Sequence, residues 1–122
     1  MDKDFTENEK LYRAVYPPEI SEIFWRKDGT VSSAAFADPR GLSVDRAMGR
    51  LDCEVVESMH KKFKGRIISL FVRDCWEVEA VVKYFPSISN IYHSEIHGGD
   101  TVPLLSKHQR KALADRAVVV AF

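Results

Sequence analysis

Apolar side chains recur with two different periods along this chain, and the periods divide it into elements. Leu11-Tyr12-Arg13-Ala14-Val15-Tyr16 alternates and is rich in β-formers, which predicts a strand ended by Pro17-Pro18. A proline at the first helical position, followed by Glu19 and Glu22, predicts a short helix that buries Ile20, Ile23 and Phe24. Asp28-Gly29 is a turn signal, and Thr30 to Phe36 predicts a second strand ended by Asp38-Pro39-Arg40-Gly41. From about Asp45 to Phe63 the period changes. Met48, Leu51, Val55, Met59 and Phe63 recur at three- and four-residue spacing, which predicts an amphipathic helix capped by Ser43 or Asp45 and stopped at Gly65.

Arg66 to Val72 is an apolar strand candidate, and Trp76 to Tyr84 alternates over nine residues as another, although its glutamates also suit a helix. His93 to His97 predicts a short strand closed by Gly98-Gly99. Ser106-Lys107-His108-Gln109 is a capping box that opens a helix to about Ala117, and Val118 to Phe122 predicts a last strand or a docked tail. Strands outnumber helices and do not alternate with them regularly. The expected fold is therefore α+β: a single domain over residues 11–122, with a small mixed or antiparallel sheet, two main helices and a short one. Residues 1–10 are a polar, acidic N-terminal segment, expected to be frayed or to form an exposed turn.

At 122 residues the chain can bury one core without staples. Its 18 basic and 18 acidic side chains cancel, so net charge gives no general pull toward nucleic acid or an anionic membrane. Two stretches are locally basic, Lys61 to Arg66 and Lys107 to Arg116. RNA binding would need aromatic platforms beside them, and only Phe63 interleaves, at a spacing that places it in the core. Cys53 and Cys75 fit no zinc or redox spacing and are expected to be buried thiols. No secretory signal or membrane-length apolar run is present, so a cytosolic protein with no membrane partner is expected.

The densest chemistry lies in Tyr92-His93-Ser94-Glu95-Ile96-His97-Gly98-Gly99-Asp100. On a strand, alternate residues share a face, so His93, Glu95 and His97 would point the same way. Such a set could bind a divalent metal, with Asp100 as an outer orienter. Alternatively the histidines could act as acid and base in phosphodiester or RNA cleavage, since imidazole titrates near neutral pH. A solvated polar edge strand explains the same pattern without chemistry. Arg13, a guanidinium in an apolar strand, is a candidate for gripping phosphate or carboxylate, or else an exposed edge residue. Ser32 and Ser33, among small residues, could let a ligand approach and hydrogen-bond it. Asp45 and Arg46 would sit at a helix start, where anions are favoured. Neither serine has a nucleophile elbow around it, and Gly98-Gly99 lacks the residues of a phosphate loop.

Leu11-Tyr12-Arg13, Val31-Ser32-Ser33-Ala34-Ala35-Phe36 with Asp38, Leu42-Ser43-Val44-Asp45-Arg46, and Asn90-x-x-His93 with Ile96 and Gly98 together resemble a group of small uncharacterised bacterial proteins. The resemblance covers residues 11 to about 117. A fainter resemblance is to RES and ADP-ribosyltransferase-like domains, in which an Arg on the first strand, a Ser or Tyr on a following strand and a later Glu surround NAD. The matching positions are Arg13, Ser33 and Glu95. The Gly-Arg-Trp-Asn-like stretch of RES proteins is missing after Arg13, and Glu95 lies in a His-rich strand. The resemblance implies an NAD-consuming toxin enzyme in which Arg13 holds phosphates, Ser33 positions ribose, and Glu95 with His93 polarises the reacting group. The other expectations are a His- or metal-dependent phosphodiesterase or ribonuclease, and a non-catalytic module that binds a ligand or a protein partner.

Overall fold

The computed structural model describes residues 4–122. Six strands form one antiparallel sheet: β1 (Lys10–Val15), β2 (Leu42–Arg46), β3 (Arg66–Phe71), β4 (Val81–Tyr84), β5 (His93–His97) and β6 (Val118–Ala121). Their spatial order is β4-β5-β2-β1-β3-β6. Three helices accompany the sheet: α1 (Asp52–His60), α2 (Val72–Glu77) and α3 (Lys107–Arg116). The expected α+β architecture stands, and the sheet is antiparallel throughout.

Register decides which side chains share a face. Tyr12 pairs with Asp45, Asp45 with His93, Ser43 with Glu95, and Lys83 with Glu95. Side chains alternate along each strand. Hence Tyr12, Ser43, Asp45, Lys83, His93, Glu95 and His97 lie on one face. Leu11, Val15, Leu42, Val44, Ile68, Leu70 and Ile96 lie on the other, in the main core with Trp25, Phe36, Cys75, Leu105 and Leu113. The first face carries a smaller core where α1 lays Val55 and Met59 on Tyr12 and Ile67. Thus α1 covers the β1–β3–β6 half, and the polar residues of β2, β5 and β4 occupy the other half.

Several expected elements take different forms. Residues 30–36 are not a strand: Val31 makes a single bridge to Trp25, and Ser33–Phe36 is a 3-10 turn that buries Ala35 and Phe36. The helix expected over 45–63 divides. Residues 42–46 are β2, Met48 and Gly49 turn with φ of 51° and 82°, and only 52–60 is helical. Phe63, Leu51 and Cys53 are consequently exposed, and Val55 and Met59 carry the buried stripe. The Trp76–Tyr84 strand shortens to Val81–Tyr84, because α2 occupies 72–77 and Glu79 turns the chain at φ 60°. After Pro17-Pro18 only Glu22–Phe24 is helical, as 3-10, with Ile20 and Ile23 exposed and Phe24 alone packed on the core.

The capping box at Ser106 is present: Ser106 Oγ accepts from Gln109 N at 3.1 Å, and Gln109 Oε1 accepts from Ser106 N at 2.8 Å. The acidic N-terminal segment is docked over its described residues. Phe5 packs edge-on against Tyr84, and Glu9 is clamped by Arg46. Asp2 and Lys3 lie outside the described residues.

Candidate functional site

Glu95 stands at the centre of the polar half-face. Its Oε1 lies 2.8 Å from His97 Nε2 and its Oε2 lies 3.4 Å from His93 Nε2. With hydrogen on Nε2, each imidazole donates to one oxygen of the same carboxylate. His97 is nearly sealed beside the Phe85 ring, while Glu95 keeps 22% of its side chain exposed and His93 27%. The strand expected at 93–97 therefore forms, and the side chains of His93, Glu95 and His97 converge as alternation requires.

Gly41 makes room for this cluster. Its φ is +107°, and a Cβ there would lie 2.5 Å from His97 Nε2 and 2.8 Å from Glu95 Oε1. Only glycine combines that backbone with so close an approach. Ser43 lies beside Glu95 on β2 and is exposed, and Lys83 flanks Glu95 on β4 with its ammonium donating to Asp100 O at 3.2 Å. Asp100 itself is exposed and meets the cluster only through that carbonyl. Asp45 is buried on the same face and accepts from Asn90 Nδ2 at 2.8 Å, which ties the 85–92 loop to β2.

The other expected site residues separate from this cluster. Arg13 follows Tyr12 and so leaves the sheet on the core side. The β1–β2 ladder ends after Tyr12–Asp45, and Arg13 fills the gap: Nε donates to Ala35 O at 3.1 Å and Nη1 to Ser43 O at 2.9 Å. Burial lowers its pKa, and Asp38 pulls in the opposite direction. Ser32 is a turn residue whose Oγ donates to Ile23 O at 2.6 Å. Ser33 begins the 3-10 turn instead of standing on a strand beside Glu95. Arg46 is not at a helix start. It is buried on β2, bonded to Glu9 at 2.7 and 2.8 Å, with its guanidinium 4.0 Å from the Phe5 ring centre. Among the described residues no group of three or more His, Cys, Asp or Glu is placed to hold a metal ion.

Sequence reasoning gave Gly41 a turn and Ser43 a cap, and passed over Lys83, so none of the three was expected at this site. The signal was there in Leu42-Ser43-Val44-Asp45-Arg46, which alternates as a strand should, but the helical spacing that begins at Met48 drew it into α1. A second unforeseen feature is a cleft of about 870 Å³ where the N-terminal segment meets the start of α1. In it Asp52 accepts from Tyr12 Oη in a short hydrogen bond and from Lys10 Nζ at 3.1 Å. The Tyr12 bond holds the Asp52 carboxyl below the usual carboxylate range, with Lys10 helping and burial opposing. Burial and the same carboxylate push the Tyr12 phenol up. Both cysteines are free, and burial raises the Cys75 thiol to about 12.

No helix of the described residues is long and apolar enough to cross a membrane. Searches against family models, curated proteins and solved structures return no significant match, so the site stands on its own geometry.

Proposed function

We propose that the protein cleaves the N-glycosidic bond of a nucleotide-type substrate, with NAD the first candidate, as an ADP-ribosyltransferase-like enzyme would. The observation that carries this reading is the Glu95 carboxylate, braced by two imidazoles and open to solvent beside Ser43 and Lys83. A fixed carboxylate stabilises positive charge as it develops, as at the oxocarbenium carbon of a sugar losing its leaving group. The same carboxylate would repel a phosphodiester whose anionic phosphoryl group is itself the reacting centre, whereas the phosphates of NAD lie away from its glycosidic carbon, so the arrangement supports glycosidic chemistry over phosphodiester cleavage.

Nicotinamide would leave with the bonding electron pair, as a neutral molecule. The ribosyl cation would be held against Glu95 until a nucleophile adds, and the nucleophile's proton would pass to His93, the more open imidazole. Lys83, on the Glu95 side of the sheet, suits the phosphates better than Arg13. Two Arg13 nitrogens already donate to backbone carbonyls, so Arg13 serves as a positioning residue that holds β2 behind Ser43. Ser43 replaces Ser33 as the hydroxyl placed to meet the ribose.

The test is release of nicotinamide from NAD, followed by chromatography. The wild-type protein is expected to turn over and Glu95→Gln to lose activity by about 100-fold or more, the scale of one transition-state electrostatic contact. Equal rates in the two proteins, or no release by either, would overturn the reading.

A further inference from the structure

A second feature lies away from Glu95, where the end of β1 meets the turn after α1. A cleft of about 460 Å³ there is lined by Ala14, Tyr16, Lys62, Phe63 and Lys64. Two aromatic residues and two lysines thus line one cleft, and no acidic residue lines it. Tyr16 is 56% exposed and Phe63 45%. Both are open to solvent, and each is held by its backbone. Trp25 Nε1 donates to Tyr16 O at 2.7 Å, fixing the residue after β1. Gly65, at φ +131°, lets the turn close on β1: a Cβ there would lie 2.5 Å from Val15 O.

The charge around the cleft is one-sided. Residues 61–66 hold Lys61, Lys62, Lys64 and Arg66 with no carboxylate. Arg66 is occupied between the Trp25 and Phe122 rings. Lys62 donates to Ser89 O at 3.0 Å, and neither Lys62 nor Lys64 pairs with a carboxylate among the described residues. The helix C-terminus accounts for lysines in this stretch, but not for aromatic rings left exposed between them.

We propose that this cleft binds single-stranded nucleic acid, with a base stacking on Phe63 and Tyr16 and the flanking phosphates meeting Lys62 and Lys64. Exposed rings beside cations are the arrangement by which single strands are held without sequence preference. A base can stack on the rings while its phosphates meet the lysines, and no carboxylate-bearing residue lines the cleft to repel them. The site is separate from the Glu95 cluster, none of whose residues lines it.

The experiment is a fluorescence-anisotropy titration with a labelled oligouridylate of about ten nucleotides, the length range that single-strand sites cover. Wild-type protein is expected to bind at low salt. Phe63→Leu keeps an apolar side chain but removes the stacking face, and is expected to weaken binding about 5- to 100-fold. Lys64→Gln is expected to lower the slope of log affinity against log salt by about 0.7. Glu95→Gln is expected to bind as wild type. Undetectable oligonucleotide binding, binding only to vesicles of anionic lipid, or unchanged affinity in both Phe63→Leu and Tyr16→Leu would overturn the proposal. So would loss of binding in Glu95→Gln, which would place the strand at the other site.

Discussion

Glu9 and Glu95 each meet nitrogen atoms of two residues, Arg46 and Met48 for the first and His93 and His97 for the second, yet they sit in opposite circumstances. Glu9 meets the Arg46 guanidinium through both oxygens, with the pair's side chains 10% and 3% exposed and the Phe5 and Tyr84 rings closing over the arginine. Glu95 meets two separate imidazoles, on the half of the sheet that no helix covers. The first arrangement is a closed ion pair that tethers the N-terminal segment to β2. The second leaves a carboxylate braced and still reachable. Charge and partner number alone do not separate structure from chemistry here. What covers the group does.

The comparison can be broken most sharply at Glu9. Glu9→Ala removes the carboxylate that meets two nitrogens of the buried Arg46 and the backbone N of Met48, and is expected to cost about 3–5 kcal/mol, read by denaturant unfolding. If the loss is under about 1 kcal/mol, the pair is not sealed as described. Glu95→Gln is expected to do the reverse: nicotinamide release falls about 100-fold, equivalent to about 2.7 kcal/mol of barrier, while unfolding shifts far less. A variant that loses stability and activity together would make Glu95 a structural residue like Glu9.

Gly41→Ala tests the contact between the two strands that form the site. The added methyl meets His97 and Glu95 on a backbone that disfavours any side chain, and a destabilisation of about 1–3 kcal/mol is expected by thermal melting. An unchanged melting temperature would mean that the 38–41 turn is free to move away.

The smallest effect is expected at Tyr12→Phe. It removes one hydrogen bond to Asp52 and should cost about 0.5–1.5 kcal/mol at neutral pH. Because the folded-state pKa of Asp52 is depressed, its contribution is present above the unfolded-state pKa and is lost as pH falls through the folded-state value. The wild-type advantage over Tyr12→Phe should therefore shrink on acidification. An advantage that stays constant across the acid limb of a pH–stability curve would show that Asp52 owes its depression to Lys10 instead.

What could be read in the chain was what depended on local signals. β1, β3, β5, β6 and α3 follow from short alternating runs, terminal prolines and glycines, and a reciprocal cap at Ser106 and Gln109. The His93–Glu95–His97 convergence needs only the period of a strand. The helix expected over 45–63 was drawn too long because Met48, Leu51 and Phe63 happen to continue the spacing of Val55 and Met59, and only 52–60 is helical. The positive φ at Met48 and Gly49 overrides that spacing and frees Leu42 to Arg46 to pair with β5. Arg13 was assigned to phosphate because its type suits one. That its nitrogens instead meet Ala35 O and Ser43 O depends on where two distant segments come to lie, and no local pattern encodes it.

The strand order carries a kinetic consequence. β1 lies inside the sheet, and both its neighbours, β2 and β3, come later in the chain, as does the edge strand β6 that closes on β3. A growing polypeptide therefore carries β1 with its ladder groups unmatched until distant segments arrive, and each arrival must overcome loop-closure entropy before it gains a pairing. Refolding is expected on the millisecond-to-second scale of sheets with non-local pairing, and the final docking of β6 waits until residues 118–121 have left the ribosome.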